Sequence, residues 1–244
     1  MDAFQEFDQP PVPEKTAGAI ISHAFEMYKG VFIYALAVMI IYGLVSMVMQ
    51  PISGFDSQIF AEDMRSSGDD FSMMNMWAMP GMGLMMGLSS LMGILLAPLF
   101  VGLIYMANKY NTAQPLTFAD LFIAYRQNTL NIMIYSLISS IILGFSAMLC
   151  FLPLVFVFPF FLLGYPILLF ENANFSEALS KSFSIAKENY MTFLVAGVLG
   201  VLISMAGIFL CFIGLIATLP FYLVVMYSIY CAYLGRPREL IAAE

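Results

Sequence analysis

The residues of this chain that could carry chemistry are few and lie far apart. The stretch SMMNMWAMPGMGLMM, residues 72 to 86, places Met73, Met76, Met79, Met82 and Met85 at intervals of three. Thioether sulfur selects Cu(I), so a methionine cluster facing an oxidising compartment reads as a copper site. Against that, Pro80, Gly81 and Gly83 interrupt a regular ligand face, and no histidine or cysteine stands nearby. The plainer expectation is a flexible apolar segment resting on a bilayer or a partner, a use to which methionine is suited. Cys150 and Cys211 could form a disulfide if their α-carbons came within about 7 Å; otherwise they are small apolar residues, and Cys231 should be a reduced thiol. His23 stands beside Phe25 and Tyr28 with no second histidine or nucleophile in a triad-like local pattern, so it is expected to be an exposed surface histidine. Glu62, Asp63, Asp69 and Asp70 could attract Ca²⁺, but they lack the ligand spacing of a calcium loop. They are expected to form a solvated, extended loop face. The sequence therefore assigns no catalytic residue, no cofactor and no metal site.

The elements that would position these residues follow from composition. Of 244 residues, 61% are hydrophobic and 10% are charged, and the mean hydropathy is +0.89. A soluble domain of this size cannot enclose that much apolar side chain, so the chain reads as an all-α integral membrane protein. Nine Lys and Arg against 16 Asp and Glu give a formal charge of -7, which argues against a phosphate-tracking surface and so against nucleic-acid partners. Three cysteines without a CxxC pair and a single histidine cannot supply a zinc site. MDAFQEFDQPPVPEK carries acids and prolines where a cleavable signal would carry cations, so the first span is expected to direct insertion itself.

Six stretches approach the roughly 20 apolar residues that a bilayer core requires. They are Val31 to Met49, Met82 to Ala107, Thr129 to Phe151, Leu154 to Phe170, Tyr190 to Ile213 and Leu215 to Leu234, and none contains an ionisable Asp, Glu, Lys, Arg or His. Sorting the connections by cation count puts Lys15, Lys29, Lys109, Arg126, Lys181, Lys187, Arg236 and Arg238 on one side and Arg65 alone on the other. Cations accumulate on the cytoplasmic side, so both termini are expected there, with residues 50–81 forming a Met-rich, acidic exoplasmic loop. Residues 1–14 read as a flexible acidic tail, 15–234 as one membrane domain and 235–244 as a cytoplasmic tail.

The domain repeats. A shift of 61 residues places Leu149, Cys150, Phe151, Leu154, Pro159, Phe160 and Leu162 on Leu210, Cys211, Phe212, Leu215, Pro220, Phe221 and Leu223, and Pro98 takes the same place in span two. Upstream the offset becomes 57, matching Phe118 to Phe175 and Asp120 to Glu177, so the third unit holds about one more helical turn. TFADLFIAYRQN and NFSEALSKSFSIAKEN both open on capping-box spacing, Thr117 with Asp120 and Asn174 with Glu177. Their apolar residues Phe118, Leu121, Phe122 and Tyr125, and Phe175, Ala178, Leu179 and Phe183, recur at helical spacing. AIISHAFEMYKG is a weaker copy, matching Ser22, Phe25 and Lys29 to Ser180, Phe183 and Lys187 at an offset of 158. The expected architecture is six transmembrane helices in three repeats, about 15–110, 111–171 and 172–234. Each repeat joins a cytoplasmic interfacial amphipathic helix to a transmembrane hairpin. Small-residue stripes, Ser136, Ser140 and Gly144 and then Ala196, Gly200 and Ser204, are expected to pack within the chain rather than to form a homodimer seam.

Residues 171 to 233, with their EALSKSF…KENY helix and TLPFYLVVMYSIY closing span, resemble the bacterial membrane proteins grouped with the membrane domain of glycerophosphodiester phosphodiesterases. The resemblance implies a multi-span helical fold in a bacterial inner membrane. In the fused members the phosphodiesterase chemistry belongs to a separate soluble domain, so the resemblance carries no catalytic residue over to this chain.

Two functions compete on this reading. The first is a non-catalytic scaffold or accessory subunit, with membrane lipids and a protein of unknown identity as partners and a homo-oligomer as a further option. The second is a carrier or handler of lipid or another hydrophobic molecule, which calls for a cavity lined by Tyr135, Ser136 and Ser140. Coupled transport is disfavoured because it leaves an ionisable residue inside the membrane, and an enzyme is not expected.

Overall fold

The computed structural model describes residues 12–67, 79–149, 152–210 and 213–237. Cys150 and Cys211, whose pairing the sequence leaves open, and Met73, Met76, Asp69, Asp70 and Arg238 lie outside the described residues, which contain no strand. Six helical segments are long and apolar enough to cross a membrane, Ala17–Ser53, Met82–Asn111, Thr129–Met148, Leu152–Phe170, Tyr190–Phe209 and Gly214–Leu234. They coincide with the six stretches read from hydropathy, and the chain is a multi-pass membrane protein. It divides into two compact units, one of residues 1–39 with 97–244 and one of residues 40–96.

In the larger unit, α1 (Ala17–Ser53) enters as one uninterrupted helix. The separate interfacial helix expected before span one is therefore absent, because AIISHAFEMYKG contains no proline or cap that would end it before Val31. Helix α3 (Met82–Asn111) keeps Pro98 inside. The next segment is a 3₁₀ turn, Phe118–Phe122, followed by the single turn α4 (Ile123–Arg126). Asp120 Oδ2 accepts the Thr117 N–H at 2.7 Å and its hydroxyl at 2.9 Å. Leu121 and Ala124 turn inward while Phe118 and Phe122 stay exposed, so the buried face is narrower than the four-residue face read from spacing. Gly102 lets α3 approach the backbone of Leu121 more closely than any Cβ would allow.

Helix α5 (Thr129–Met148) leads to span four, which is built from α6 (Leu152–Val157), a 3₁₀ turn at Phe158–Phe161 around Pro159, and α7 (Gly164–Phe170). Helix α8 (Phe175–Glu188) starts at the expected box: Asn174 Oδ1 accepts the Glu177 N–H at 2.9 Å, and Glu177 Oε2 accepts the Asn174 N–H at 3.1 Å. It buries Ala178, Ser182 and Ala186, one face at helical period. Helix α9 (Tyr190–Met205) packs its small stripe as expected, with Ala196, Gly200 and Ser204 buried and Gly200 against Val225. The other stripe departs from expectation: Ser136 is buried, but Ser140 and Gly144 are exposed and nothing stands near Gly144. Span six comprises α10 (Ile213–Thr218) and, after a turn at Pro220, α11 (Phe221–Leu234), which is buried at Phe221 and from Val224 to Ala232.

In the smaller unit, α2 (Ser57–Ser67) is capped by Asp56, whose Oδ1 accepts the Gln58 N–H at 2.8 Å. Glu62 is exposed on it. The acidic segment is thus helical over its first part, where an extended loop was expected, because a cap at Asp56 outweighs the few like charges. Gly81, at φ +77°, abuts the backbone of Ser53 to Phe55, a position no other residue could take. Of the spaced methionines, Met82 is buried and Met79 and Met85 are half-buried.

Candidate functional site

A polar chain runs through the core of the larger unit where α1, α3 and α11 meet. Uninterrupted α1 carries His23 inward, so the histidine is only 8% exposed, which corrects the expected surface histidine. Its Nδ1 lies 2.9 Å from Ser228 Oγ. Ser228 sends its single hydroxyl proton back along α11 to Val224 O, at 3.0 Å. With that hydroxyl committed to Val224 O, Nδ1 is assigned as the protonated nitrogen, donating to Oγ. In this direction Nδ1 already carries a proton and offers the serine no lone pair with which to act as its general base.

From α11 the chain continues to α3. The Tyr227 hydroxyl donates to Asn108 Oδ1 at 3.0 Å and accepts from Asn111 Nδ2 at 2.8 Å. Asn108 and Asn111 face the same way because they are one helical turn apart, and both are about as buried as His23. The imidazole and the Tyr227 ring lie 6.1 Å apart, with Phe170 packed on Tyr227 at 6.2 Å and on Tyr230 at 5.3 Å. Two buried atoms of the set have no hydrogen-bond partner, His23 Nε2 and Asn111 Oδ1. The Asn111 side chain interacts with the imidazole but is short of a completed bond to it. Cys231, one turn past Tyr227, is a buried free thiol.

Two ion pairs flank the core. Lys109 Nζ sits 2.9 Å from Asp120 Oδ2. Burial pushes the Asp120 carboxyl up, but hydrogen bonds from Lys109 and from the Thr117 N–H and hydroxyl, with the Lys109 charge, hold it below the usual carboxylate range. Lys181 Nζ lies 2.6 Å from Glu171 Oε2, and the Tyr230 hydroxyl reaches Glu171 Oε1 at 3.3 Å.

A second polar group lies between α5 and α7. Tyr135 is fully buried, donates to Phe161 O at 3.0 Å and presses its ring on Gly164, where a Cβ would overlap it. Ser136 and Ser139 face the Tyr165 hydroxyl. Of the lining that a carrier cavity would need, Tyr135 is packed and Ser140 points outward. Among the described residues no group of three or more His, Cys, Asp or Glu is placed to hold a metal.

Sequence reasoning missed Asn108, Asn111, Tyr227 and Ser228. The available signal was Asn at i and i+3 ending span two, and an adjacent Tyr-Ser pair inside the otherwise apolar span six. The elimination of coupled transport rested on spans without ionisable groups, and it loses force because His23 belongs to the same helix as span one and is buried. No protein-family model matches the chain, and neither does any curated protein or solved structure.

Proposed function

We propose that this protein is a non-catalytic scaffold or accessory subunit of a bacterial inner membrane, with both termini cytoplasmic and three repeated units forming its frame. The observation that carries this reading is the use made of polar side chains in and beside the spans: they fasten one helix to another. Tyr28 donates to Ala217 O, Ser182 to Phe160 O, Tyr190 to Phe156 O, Tyr135 to Phe161 O, and Asn128 to both Leu168 O and Ala173 O. In a medium without water each such bond satisfies a carbonyl that would otherwise be costly.

The repeat draws support from the same contacts. A proline in a helix removes a donor and disturbs the preceding turn. Phe156 and Ala217 stand three residues before Pro159 and Pro220, and each receives a tyrosine hydroxyl. Phe183 stacks on Phe160 at 4.6 Å, and Phe25 meets Phe221 at 4.7 Å; both partners of each pair correspond under the sequence offsets. Tyr125, equivalent to Ser182, meets the backbone of Leu99, equivalent to Phe160. Each interfacial segment thus grips the closing span of another unit in cyclic order. The likeness of residues 171 to 233 to the phosphodiesterase-associated membrane domain is part of the same proposal.

Native mass spectrometry of the protein extracted gently from its own membrane tests the functional reading. A protein partner at fixed stoichiometry is expected. A monomer that retains one lipid class at fixed stoichiometry, or copper on the Met-rich segment, would overturn the scaffold in favour of a carrier or metal handler.

A further inference from the structure

The polar chain at His23 leaves two buried acceptors unpaired. Ser228 Oγ donates to Val224 O, Nδ1 donates to Ser228 Oγ, Asn111 Nδ2 donates to Tyr227, and Tyr227 donates to Asn108 Oδ1. What remains is the Nε2 lone pair of a neutral imidazole and the oxygen of Asn111, two buried acceptors on side chains that interact. One proton added to Nε2 would be donated to Asn111 Oδ1 and would close the chain with every other bond unchanged. Without it, closure requires reversal: the two amides turn over, Tyr227 donates to Asn111 Oδ1, and Asn111 Nδ2 donates to Nε2. We propose that His23 is a proton-binding site whose occupancy sets the direction of the hydrogen-bond chain through Asn111, Tyr227 and Asn108. The proton comes from solvent hydronium and forms the Nε2–H bond, and its release returns it to water.

The fold does not require these residues. Under the 61-residue offset Ser228 corresponds to Ile167 and Met106, and under the offsets of the interfacial segments His23 corresponds to Lys181 and Ala124. Ile167, Met106 and Ala124 are wholly buried apolar residues at those positions, and Lys181 pairs with Glu171, so the Ala124–Met106 pair serves the frame with apolar side chains alone. A buried polar set in a membrane bundle is costly unless it is used. The charged and titratable groups around the site are few. Glu26, exposed on α1, is the charged group facing the imidazole. From α11 come Tyr227 and Cys231, with Arg236 beyond the helix end acting on both. From α3 the facing groups are the two asparagines, and Lys109 on that helix is engaged by Asp120.

His23 is the only histidine in the chain, so ¹⁵N-histidine labelling of the full-length protein in lipid nanodiscs gives a single-site readout. The titration should run about two pH units either side of the ordinary imidazole value of about 6.5. The expected result is an Nδ1–H neutral imidazole at high pH that becomes doubly protonated in one step, with the Asn111 side-chain amide resonance moving at the same midpoint. Asn111→Ala should weaken proton binding about tenfold, moving the midpoint by about one pH unit, a change that a purely structural role would not produce. If that variant fails to fold, the wild-type titration decides alone. An imidazole that keeps one protonation state throughout, or one that titrates while Asn111 stays still, overturns the proposal.

Discussion

Tyr227 is the side chain on which the polar core turns, since its hydroxyl is at once the acceptor for Asn111 and the donor to Asn108. Tyr227→Phe keeps the ring and its packing on Phe170 but strands two buried amides, which costs about 1–3 kcal/mol. Thermal unfolding in nanodiscs should show the loss, and an unchanged midpoint would mean that the amides re-pair elsewhere. Asp120 makes a second prediction. Its carboxyl titrates below the ordinary value of about 3.9 because the ion pair with Lys109 and the bonds from Thr117 outweigh burial. A depressed carboxyl stabilises above the unfolded value and loses that contribution as the pH falls through the folded one. Asp120→Asn should therefore lower the midpoint of unfolding near neutral pH and make no difference once the wild-type carboxyl is protonated; an equal effect at both extremes would count against the ion pair. Little of this was legible beforehand. A histidine between Ser22 and Phe25 looks the same in sequence whether its helix faces water or a serine two hundred residues away, and only the continuation of α1 decides between them.

Helices contact each other most closely where glycine permits it, and the glycines are not equivalent. Gly102 meets the backbone of Leu121, which cannot move aside like a side-chain tip, whereas Gly144 faces open space. Gly102→Ala should cost at least the 1–3 kcal/mol typical of overpacking, while Gly144→Ala should be neutral or slightly stabilising, since alanine favours helix by about 1 kcal/mol. Comparison of the two variants by thermal unfolding checks the packing directly, and equal effects would contradict it. At this scale sequence reading did better. Asn174 and Glu177 announced the start of α8, and hydropathy located all six spans, because caps and apolar runs are local signals. It failed where a decision depends on a distant partner. Ser136, Ser140 and Gly144 read as one packed seam, yet only Ser136 is buried, and the distinct helix expected before Val31 is simply the first turns of α1.

Across the whole molecule, the proposed scaffold requires one arrangement: six spans that cross a membrane, with turns on one side and the cation-bearing segments on the other. Accessibility labelling tests it most directly. In a chain with Cys150, Cys211 and Cys231 replaced by serine, single cysteines are introduced as Leu149→Cys, in the turn after span three, and Lys187→Cys, in the last turn of α8. Intact cells are then treated with a membrane-impermeant maleimide. Residue 149 is expected to react at once and residue 187 only after the membrane is opened. Equal reaction at both positions, or reaction at residue 187 alone, would contradict it.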